Sequence, residues 1–291
     1  NYTKYHYAAV FGRINYRYAE KYLLNLSGRR DASSRFGPGK QYANFGAAGM
    51  AWIFSEEKWI KPATALSFGK LRLSYGTTGN DQISDYGFLD TWRPTLYPYL
   101  GTSGLFSGNL VNPNYAWEIN KKAEAGLDLG FFENRIYISA AFYSNRSGNQ
   151  LVGYPLPAIT GYTSVNGNLP ALVRNTGLEL ELMATTVQQK HLRWTSTFNI
   201  SFPRNKLLAY PNIEQSSYTS IYVVGKSLFI LPRLHISGVD PVTGMYVFED
   251  KDGNGSGLDY PQDLQALKEV TQKYHGGFLN TVSFDHWQLD V

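Results

Sequence analysis

The stretch that decides the fold is residues 178–184, which read Leu-Glu-Leu-Glu-Leu-Met-Ala. Apolar or small side chains occupy every second position, and Glu179 and Glu181 lie between them. Successive side chains on a β-strand point to opposite faces, so this pattern predicts a strand with one apolar and one polar face.

The same alternation recurs along the rest of the chain. It is found at residues 10–18, 22–29, 124–129, 136–143 and 194–202. The segment around residues 263–273 is the exception and favours a helical turn in a loop. The pattern as a whole indicates about ten antiparallel strands, so the predicted fold class is all-β.

Connections between these strands have two lengths. The short ones are residues 19–21, 132–134 and 188–191, whereas the long ones are residues 33–42, 79–115, 150–172 and 203–234. Short turns on one side and long loops on the other are typical of transmembrane β-barrels, where the turns are periplasmic and the loops extracellular. The alternative is a soluble β-sandwich with a binding or adhesion function.

Composition agrees with a membrane barrel and excludes several other classes. Aromatic residues make up 15% of the 291 residues and charged residues only 17%, which suits aromatic girdles around an apolar band. No run approaches the roughly 18 apolar residues of a transmembrane helix. The chain has no Cys, and the cationic residues behind its net charge of +4 are scattered, so neither a thiolate zinc site nor a nucleic-acid partner is indicated.

No catalytic motif is present, and we predict neither enzymatic activity nor a cofactor. The five His residues lack metalloprotease spacing, and no G-x-S-x-G elbow occurs. One run resembles a calcium loop, with oxygen ligands at Asp250, Asp252 and Asn254 followed by Gly255. Pro261 stands where a bidentate Glu belongs, so an acidic surface turn is the alternative.

Several motifs resemble, in order, those of the SusC/RagA family of TonB-linked outer-membrane proteins. Residues 29–37 (RRDASSRFG) are similar to its R-x-D-G-S-S-R-F-G motif, and residues 71–80 (LRLSYGTTGN) to its L-R-x-S-Y-G-x-T-G-N strand. The remaining matches are residues 112–118 (NPNYAWE), 126–128 (GLD) with 134–135 (NR), 175–179 (NTGLE) and 276–281 (GGFLNT).

This resemblance implies part of a 22-stranded barrel in the bacterial outer membrane, in contact with outer-membrane lipid. It implies TonB-dependent import of oligosaccharides or peptides, with a SusD-like surface lipoprotein as the lid and TonB and its inner-membrane motor as the energy source. The matches cover the middle-to-late barrel only. We therefore expect residues 1–291 to form one partial barrel domain that lacks the plug, the N-terminal extension and the final strands.

The motifs also suggest structural roles for particular residues. We expect Arg30, Asp31 and Arg35 to pair across a strand end and to brace a loop; substrate contact is the alternative. Gly79 and Asn80 supply turn chemistry where a strand enters a long loop. The further motif residues are Ser33 and Ser34 in the turn, Phe36, Trp117 at the membrane interface or against a neighbouring strand, and Glu118.

Substrate contacts are predicted in one long loop. Trp92, Arg93, Tyr97 and Tyr99 are spaced there with prolines, and aromatic faces stack on sugar rings or peptide groups. The same loop is equally suited to clamp a partner protein or to fold over the barrel mouth.

Overall fold

The computed structural model describes residues 3–60, 65–251, 253–254, 263–264 and 266–291, and within these ranges it is built from β-strands. Three short 3-10 turns occur, at Phe54–Glu56, Ala158–Thr160 and Ile213–Gln215. In this part of the chain no helix has the length and apolar character needed to cross a membrane. The strands, in order, are β1 (Tyr7–Tyr18), β2 (Tyr22–Ser33), β3 (Tyr42–Trp52), β4 (Leu66–Asn80), β5 (Thr91–Pro94), β6 (Leu105–Asn109), β7 (Glu118–Phe131), β8 (Ile136–Gly148), β9 (Gln150–Pro155), β10 (Ser164–Leu169), β11 (Leu172–Gln188), β12 (Leu192–Ala209), β13 (Ile230–Arg233), β14 (Ile236–Val239), β15 (Tyr246–Phe248), β16 (Ala266–Glu269), β17 (His275–Phe284) and β18 (Trp287–Asp290).

Ten of these strands form one antiparallel sheet in the order β1-β2-β3-β4-β7-β8-β11-β12-β17-β18. Each of these strands therefore pairs with the next main-sheet strand along the chain, as in an up-and-down barrel wall. The predicted number of about ten strands is that of the main sheet, whereas eight further short strands lie in the loops that the structure describes. The soluble β-sandwich is wrong for this chain, because a sandwich divides its long strands between two packed sheets.

The connections of the main sheet lie alternately at its two ends, and those at one end are short as predicted, except for residues 53–65. Residues 19–21, 53–65, 132–135, 189–191 and 285–286 join strands at one end, and residues 34–41, 81–117, 149–171 and 210–274 join them at the other. The tightest turns use left-handed backbone, with φ of 49° at Ala19 and 61° at Asn134. We call these two ends of the sheet the short-turn end and the long-loop end.

Strand register divides the sheet into two chemically different faces. Leu180 lies opposite Ala140 and Ile200, whereas Glu181 lies opposite Ser139 and Asn199. The predicted alternation of residues 178–184 therefore extends across neighbouring strands. In a membrane barrel the apolar set faces lipid and the polar set faces the lumen, and we call these faces outward and inward.

The short-turn end is closed by a polar clamp around Glu57. Its carboxylate accepts hydrogen bonds from Lys21 Nζ, from Tyr22 OH at 2.6 Å and from Trp52 Nε1 at 3.1 Å. The hydrogen bond from Lys21 is the largest of several contacts that lower the pKa of Glu57 to about 2. The clamp joins the β1–β2 turn to the β3–β4 connection.

The long loops contain hairpins that the sequence pattern does not predict. β5 pairs with β6, β9 with β10, β13 with β16, and β14 with β15. The helical turn expected around residues 263–273 is wrong for the part that the structure describes, because β16 is extended and pairs with β13. The partner strand is distant in sequence, so local spacing gave no sign of it.

A cluster of buried apolar side chains lies at the long-loop end of β11 and β12. The cluster consists of Leu169, Ala171, Val173, Leu207 and Tyr210, and Tyr154 packs against it. Burial is the main reason that the pKa of Tyr154 rises to about 12. The β9–β10 hairpin is therefore fixed to β11 and β12 by a core of its own.

Candidate functional site

The family-like motif at residues 29–37 begins on the inward face of β2. Asp31 is buried and accepts hydrogen bonds from Tyr7 OH at 2.7 Å and from Arg29 Nε. The predicted pairing of Arg30 with Asp31 is wrong, because adjacent strand residues point to opposite faces. Arg30 instead lies over the ring of Tyr42, 5.0 Å from its centroid.

The two serines of the motif hold the start of the following loop. Ser33 Oγ donates to Asp81 Oδ2 at 2.8 Å, and Tyr5 OH reaches the same oxygen at 2.8 Å. Ser34 Oγ accepts a hydrogen bond from His6 N at 2.9 Å. This part of the motif thus joins the segment before β1 to the loops after β2 and β4.

Arg35 connects the loop after β2 with the loop after β4. Its Nε donates to Asp85 Oδ1 at 2.9 Å, and its NH1 donates to the carbonyl oxygen of Asp81 at 3.2 Å. Its guanidinium also covers the ring of Tyr5 at 4.2 Å. The hydrogen bond to Asp85 is the main reason that the pKa of Arg35 is raised. These contacts support the loop-brace interpretation, with Asp85 rather than Asp31 as the partner.

Phe36 anchors the loop after β2 in an aromatic cluster. It is fully buried, with its ring centroid 6.0 Å from that of Tyr115 and 5.2 Å from that of Trp117. Trp117 is itself only 5% exposed and donates from Nε1 to the carbonyl oxygen of Gln41 at 3.1 Å. Of its two predicted roles, packing against neighbouring elements is therefore the one observed. Burial also raises the pKa of Tyr115.

Gly79 does not form a turn, which corrects our expectation for this residue. β4 continues through Asn80, and a Cβ on Gly79 would lie 2.0 Å from the ring of Phe45. Gly79 therefore makes room for that ring. Asn80 does begin the loop as predicted, because its Oδ1 accepts from Gln82 N at 2.9 Å while its Nδ2 donates to Glu118 at 3.1 Å.

Asparagine side chains tie the base of the long β4–β7 loop to β10. Asn112 Nδ2 donates to the carbonyl oxygen of Asn166 at 2.7 Å, and Asn166 Nδ2 donates to Gly87 O at 3.1 Å. Asn168 pairs with both backbone groups of Ala116, at 2.7 and 2.9 Å. Sequence reasoning missed Asn166 and Asn168, because it predicted residues 150–172 to be a loop and did not recognise strand β10.

The predicted substrate-contact residues lie on a separate hairpin that projects from the same loop. Trp92 and Arg93 belong to β5, and Tyr97 and Tyr99 belong to its tip. The exposed fractions of Trp92, Tyr97 and Tyr99 are 60%, 86% and 81%. The structure therefore presents three aromatic rings to solvent at the long-loop end, apart from the motif at residues 29–37.

The inward wall carries an ion-pair network that sequence reasoning also missed. Arg72 Nε lies 2.8 Å from Asp128 Oδ2, and Arg72 NH1 lies 3.3 Å from Glu124 Oε1. Ser139 Oγ donates to Asp128 Oδ1 at 2.8 Å. This network joins β4, β7 and β8 across the polar face, and within it Arg72 is paired with two carboxylates.

The calcium-like run is described only in part. Asp252 lies outside the described residues, whereas Asp250 Oδ1 accepts a hydrogen bond from Gly253 N at 2.7 Å. That contact spans three residues within one turn of the chain, which agrees with the surface-turn alternative. Within the described ranges, no group of three or more His, Cys, Asp or Glu side chains could hold a metal ion.

Comparison with known proteins gives the same family along nearly the whole chain. The family described as "TonB dependent receptor-like, beta-barrel" matches residues 1–288. A TonB-dependent receptor of Formosa agariphila is 28% identical over 97% of this chain and 31% of the relative. TonB-dependent receptor SusC of Bacteroides thetaiotaomicron is 26% identical over 85% of this chain and 27% of its own length.

Solved structures agree with the sequence relatives. The structure of the RagAB peptide transporter matches with a TM-score of 0.81 and 28% identity, over 98% of this chain and 33% of that chain. The RagAB peptide importer in its closed-closed state matches with a TM-score of 0.80. The chain thus spans about a third of the length of the relatives that it matches.

These findings confirm the predicted fold class, the resemblance and the location. TonB-dependent receptors are receptors and transporters rather than enzymes, so the prediction of no enzymatic activity is confirmed as well. SusC and RagA are outer-membrane proteins, which places this barrel in the outer membrane. The chain belongs to the TonB-dependent receptor β-barrel family, with SusC and RagA among its homologues.

Proposed function

We propose that the protein imports nutrients, namely oligosaccharides or peptides, across the bacterial outer membrane in a TonB-dependent manner. The observation that carries this proposal is the match of 98% of the chain, at a TM-score of 0.81, to the structure of the RagAB peptide transporter. In this proposal residues 1–291 are the middle-to-late wall of a 22-stranded barrel. A barrel of that size encloses a plugged lumen, so import requires work to move the plug.

A SusD-like surface lipoprotein is the proposed partner at the long-loop end. The homology to SusC and RagA supports such a lid together with TonB and its inner-membrane motor. The loops of this chain suit a seat for a lid, because Arg35, Phe36 and Asn168 join separate loops into one braced surface. The joined loops at the long-loop end give the lid a fixed surface to close against.

Deletion of the TonB system in a strain that expresses the intact receptor tests the energy source. We expect uptake of the cognate oligosaccharide or peptide to stop while binding at the cell surface persists. Uptake that continues at the same rate without TonB would identify a passive channel and would contradict the proposal.

The exposed hairpin is the proposed cargo-contact element. Trp92, Tyr97 and Tyr99 stand clear of the wall, and stacked aromatic rings are worth about 0.5–1.5 kcal/mol each. Replacement of all three by Ala should therefore weaken surface binding of cargo by at least about tenfold. Trp59→Ala is the control, since Trp59 is 72% exposed but belongs to the β3–β4 connection at the short-turn end. Equal binding by the triple variant and the parent protein would remove the hairpin from the cargo site.

A further inference from the structure

Four cations form a continuous row across the outward face near the long-loop end. Lys121 of β7 lies directly opposite Arg146 of β8, and Arg146 lies directly opposite Arg174 of β11. Arg174 in turn lies opposite Lys206 of β12. We call these four residues the cation row.

The register shows that the cation row shares the face of the apolar side chains. Lys121 is an even number of residues from Leu127 and Leu129 along β7, so it lies on the same face as these leucines. The leucines pair with Ala140 and Ile138 of β8. Along β7, β8, β11 and β12, all of which are described in full, no outward position holds Asp or Glu. The ion pairs found among the described residues include none of the four cations.

An uncompensated row of this kind is electrostatically unfavourable in the isolated wall. Like charges directly opposite each other on adjacent strands destabilise a sheet, and three such pairs occur side by side here. An anionic partner on the outward face would reverse the sign of that contribution. Arg146 and Arg174 are suited to phosphate, because a guanidinium can donate two parallel hydrogen bonds to its oxygens.

The height of the cation row corresponds to the headgroups of the outer leaflet. From Trp194, at the short-turn end of β12, to Lys206 the strand rises about 40 Å at 3.3 Å per residue. A strand tilt of about 35–45° reduces this to about 28–32 Å across the membrane, slightly more than the apolar band of about 25 Å. The cations therefore lie just beyond the acyl region, on the extracellular side.

An apolar groove on the outward face meets the cation row at β7 and β8 and extends from there across β4 and β3 toward β2. Its volume is about 400 Å³, and small side chains line it at Ala48, Ala123 and Ala125. Tyr75 and Phe142 flank it and are 55% and 53% exposed. Ala123 is the next outward residue after Lys121, so the β7 side of the groove begins beside the cation row and lies nearer the middle of the membrane. A groove of small residues between exposed rings suits an acyl chain.

We propose that this face binds a phosphate-bearing glycolipid of the outer leaflet. Its phosphates lie on Lys121, Arg146, Arg174 and Lys206, and one acyl chain lies in the groove lined by Ala123 and Ala125. The proposal rests on the position of the barrel in the outer membrane and is independent of what the receptor imports. Clustered Lys and Arg at a membrane surface attract anionic headgroups by charge.

Lipid retention by the purified intact receptor tests the proposal. The probes are an acylated diglucosamine bisphosphate and its phosphate-free analogue, each offered in detergent, with bound lipid counted by native mass spectrometry. The parent receptor should retain the bisphosphate in preference to the analogue. Replacement of all four cations by Gln should lower retention of the bisphosphate at least about tenfold, because each of the four cations adds to the attraction for anionic headgroups.

Two control variants separate this site from general loss of charge or of fold. Gln replacement of four inward cations, Arg13, Lys70, Lys122 and Arg193, removes the same charge from the opposite face and should leave retention unchanged. A second variant exchanges Lys and Arg within the cation row and should restore retention to within about twofold of the parent. Equal retention of the two probes by the parent, or equal retention by the outward Gln variant and the parent, would overturn the proposal.

Discussion

Arg35 and Asp85 form an ion pair that crosses from one long loop to another, with Nε and Oδ1 2.9 Å apart. Both side chains are about one quarter exposed, at 24% and 25%. The pair is thus partly shielded from water, and it fixes the β2–β3 loop against the β4–β7 loop. The loops at the long-loop end are therefore joined to one another rather than independent, which suits the proposed seat for a lid.

Arg35→Ala should loosen this connection. Loss of a charged hydrogen bond to a half-buried carboxylate costs about 1.5–3 kcal/mol. We expect faster hydrogen exchange in residues 81–90 of the intact receptor and no change in the strands. Arg93→Ala is the matched control, because Arg93 is exposed on the β5–β6 hairpin. Similar exchange in the two variants would show that the pair contributes no loop stability.

The strands of the main sheet were predictable from the sequence, but the contacts between the long loops were not. Apolar and polar side chains alternate strictly in residues 178–182, which predicts a strand. A shift of one residue in the pairing with the neighbouring strands would move every leucine to the polar face, so the pattern also determines the register. The partner of Arg35 is fifty positions away in a loop without period, and no local rule identifies Asp85. The expected pairing of Arg30 with Asp31 fails because adjacent strand residues lie on opposite faces, and the same alternation selects Arg29, two residues from Asp31.

Phe36→Ala should destabilise the joined loops at the long-loop end more than Ala replacement of any exposed aromatic residue. The ring is fully buried between Tyr115 and Trp117, and removal of a buried phenylalanine typically costs about 3–5 kcal/mol. We expect protease cleavage within residues 34–41 to become faster, with the barrel still folded in detergent. Phe106→Ala, at a ring that is 50% exposed, should leave cleavage unchanged. Resistance of the Phe36 variant equal to that of the parent would contradict the anchoring role.

Glu57 should make the short-turn end sensitive to acid. Its pKa is about 2 in the folded protein and 4.5 ordinarily, so the clamp stabilises the fold above pH 4.5. That stabilisation is lost as the pH falls from 4.5 toward 2, because the unfolded chain takes up the proton first. The thermal midpoint of the parent receptor should therefore fall over this range more steeply than that of Glu57→Gln. Glu133→Gln, in the exposed β7–β8 turn, should follow the parent; identical profiles for all three proteins would contradict the role of the clamp.

The two faces of the wall can be tested at adjacent residues of the same type. Ala140 lies opposite Leu127 and Leu180 on the outward face, whereas Ala141 lies opposite Gly126 and Glu179 on the inward face. An Arg that faces lipid near the membrane midplane costs about 2–4 kcal/mol, and an Arg that faces the lumen avoids this cost.

Ala140→Arg should therefore reduce the amount of folded receptor in the outer membrane, as measured by heat-dependent migration on gels, while Ala141→Arg should assemble like the parent. Glu179 offers the inward Arg a carboxylate directly across the strand pair, which further favours that variant. Because the two variants share the parent residue, the introduced side chain and the depth in the membrane, only the face differs between them. Equal assembly of both, or a defect confined to Ala141→Arg, would mean that the outward and inward faces are reversed or that this part of the wall is not surrounded by lipid.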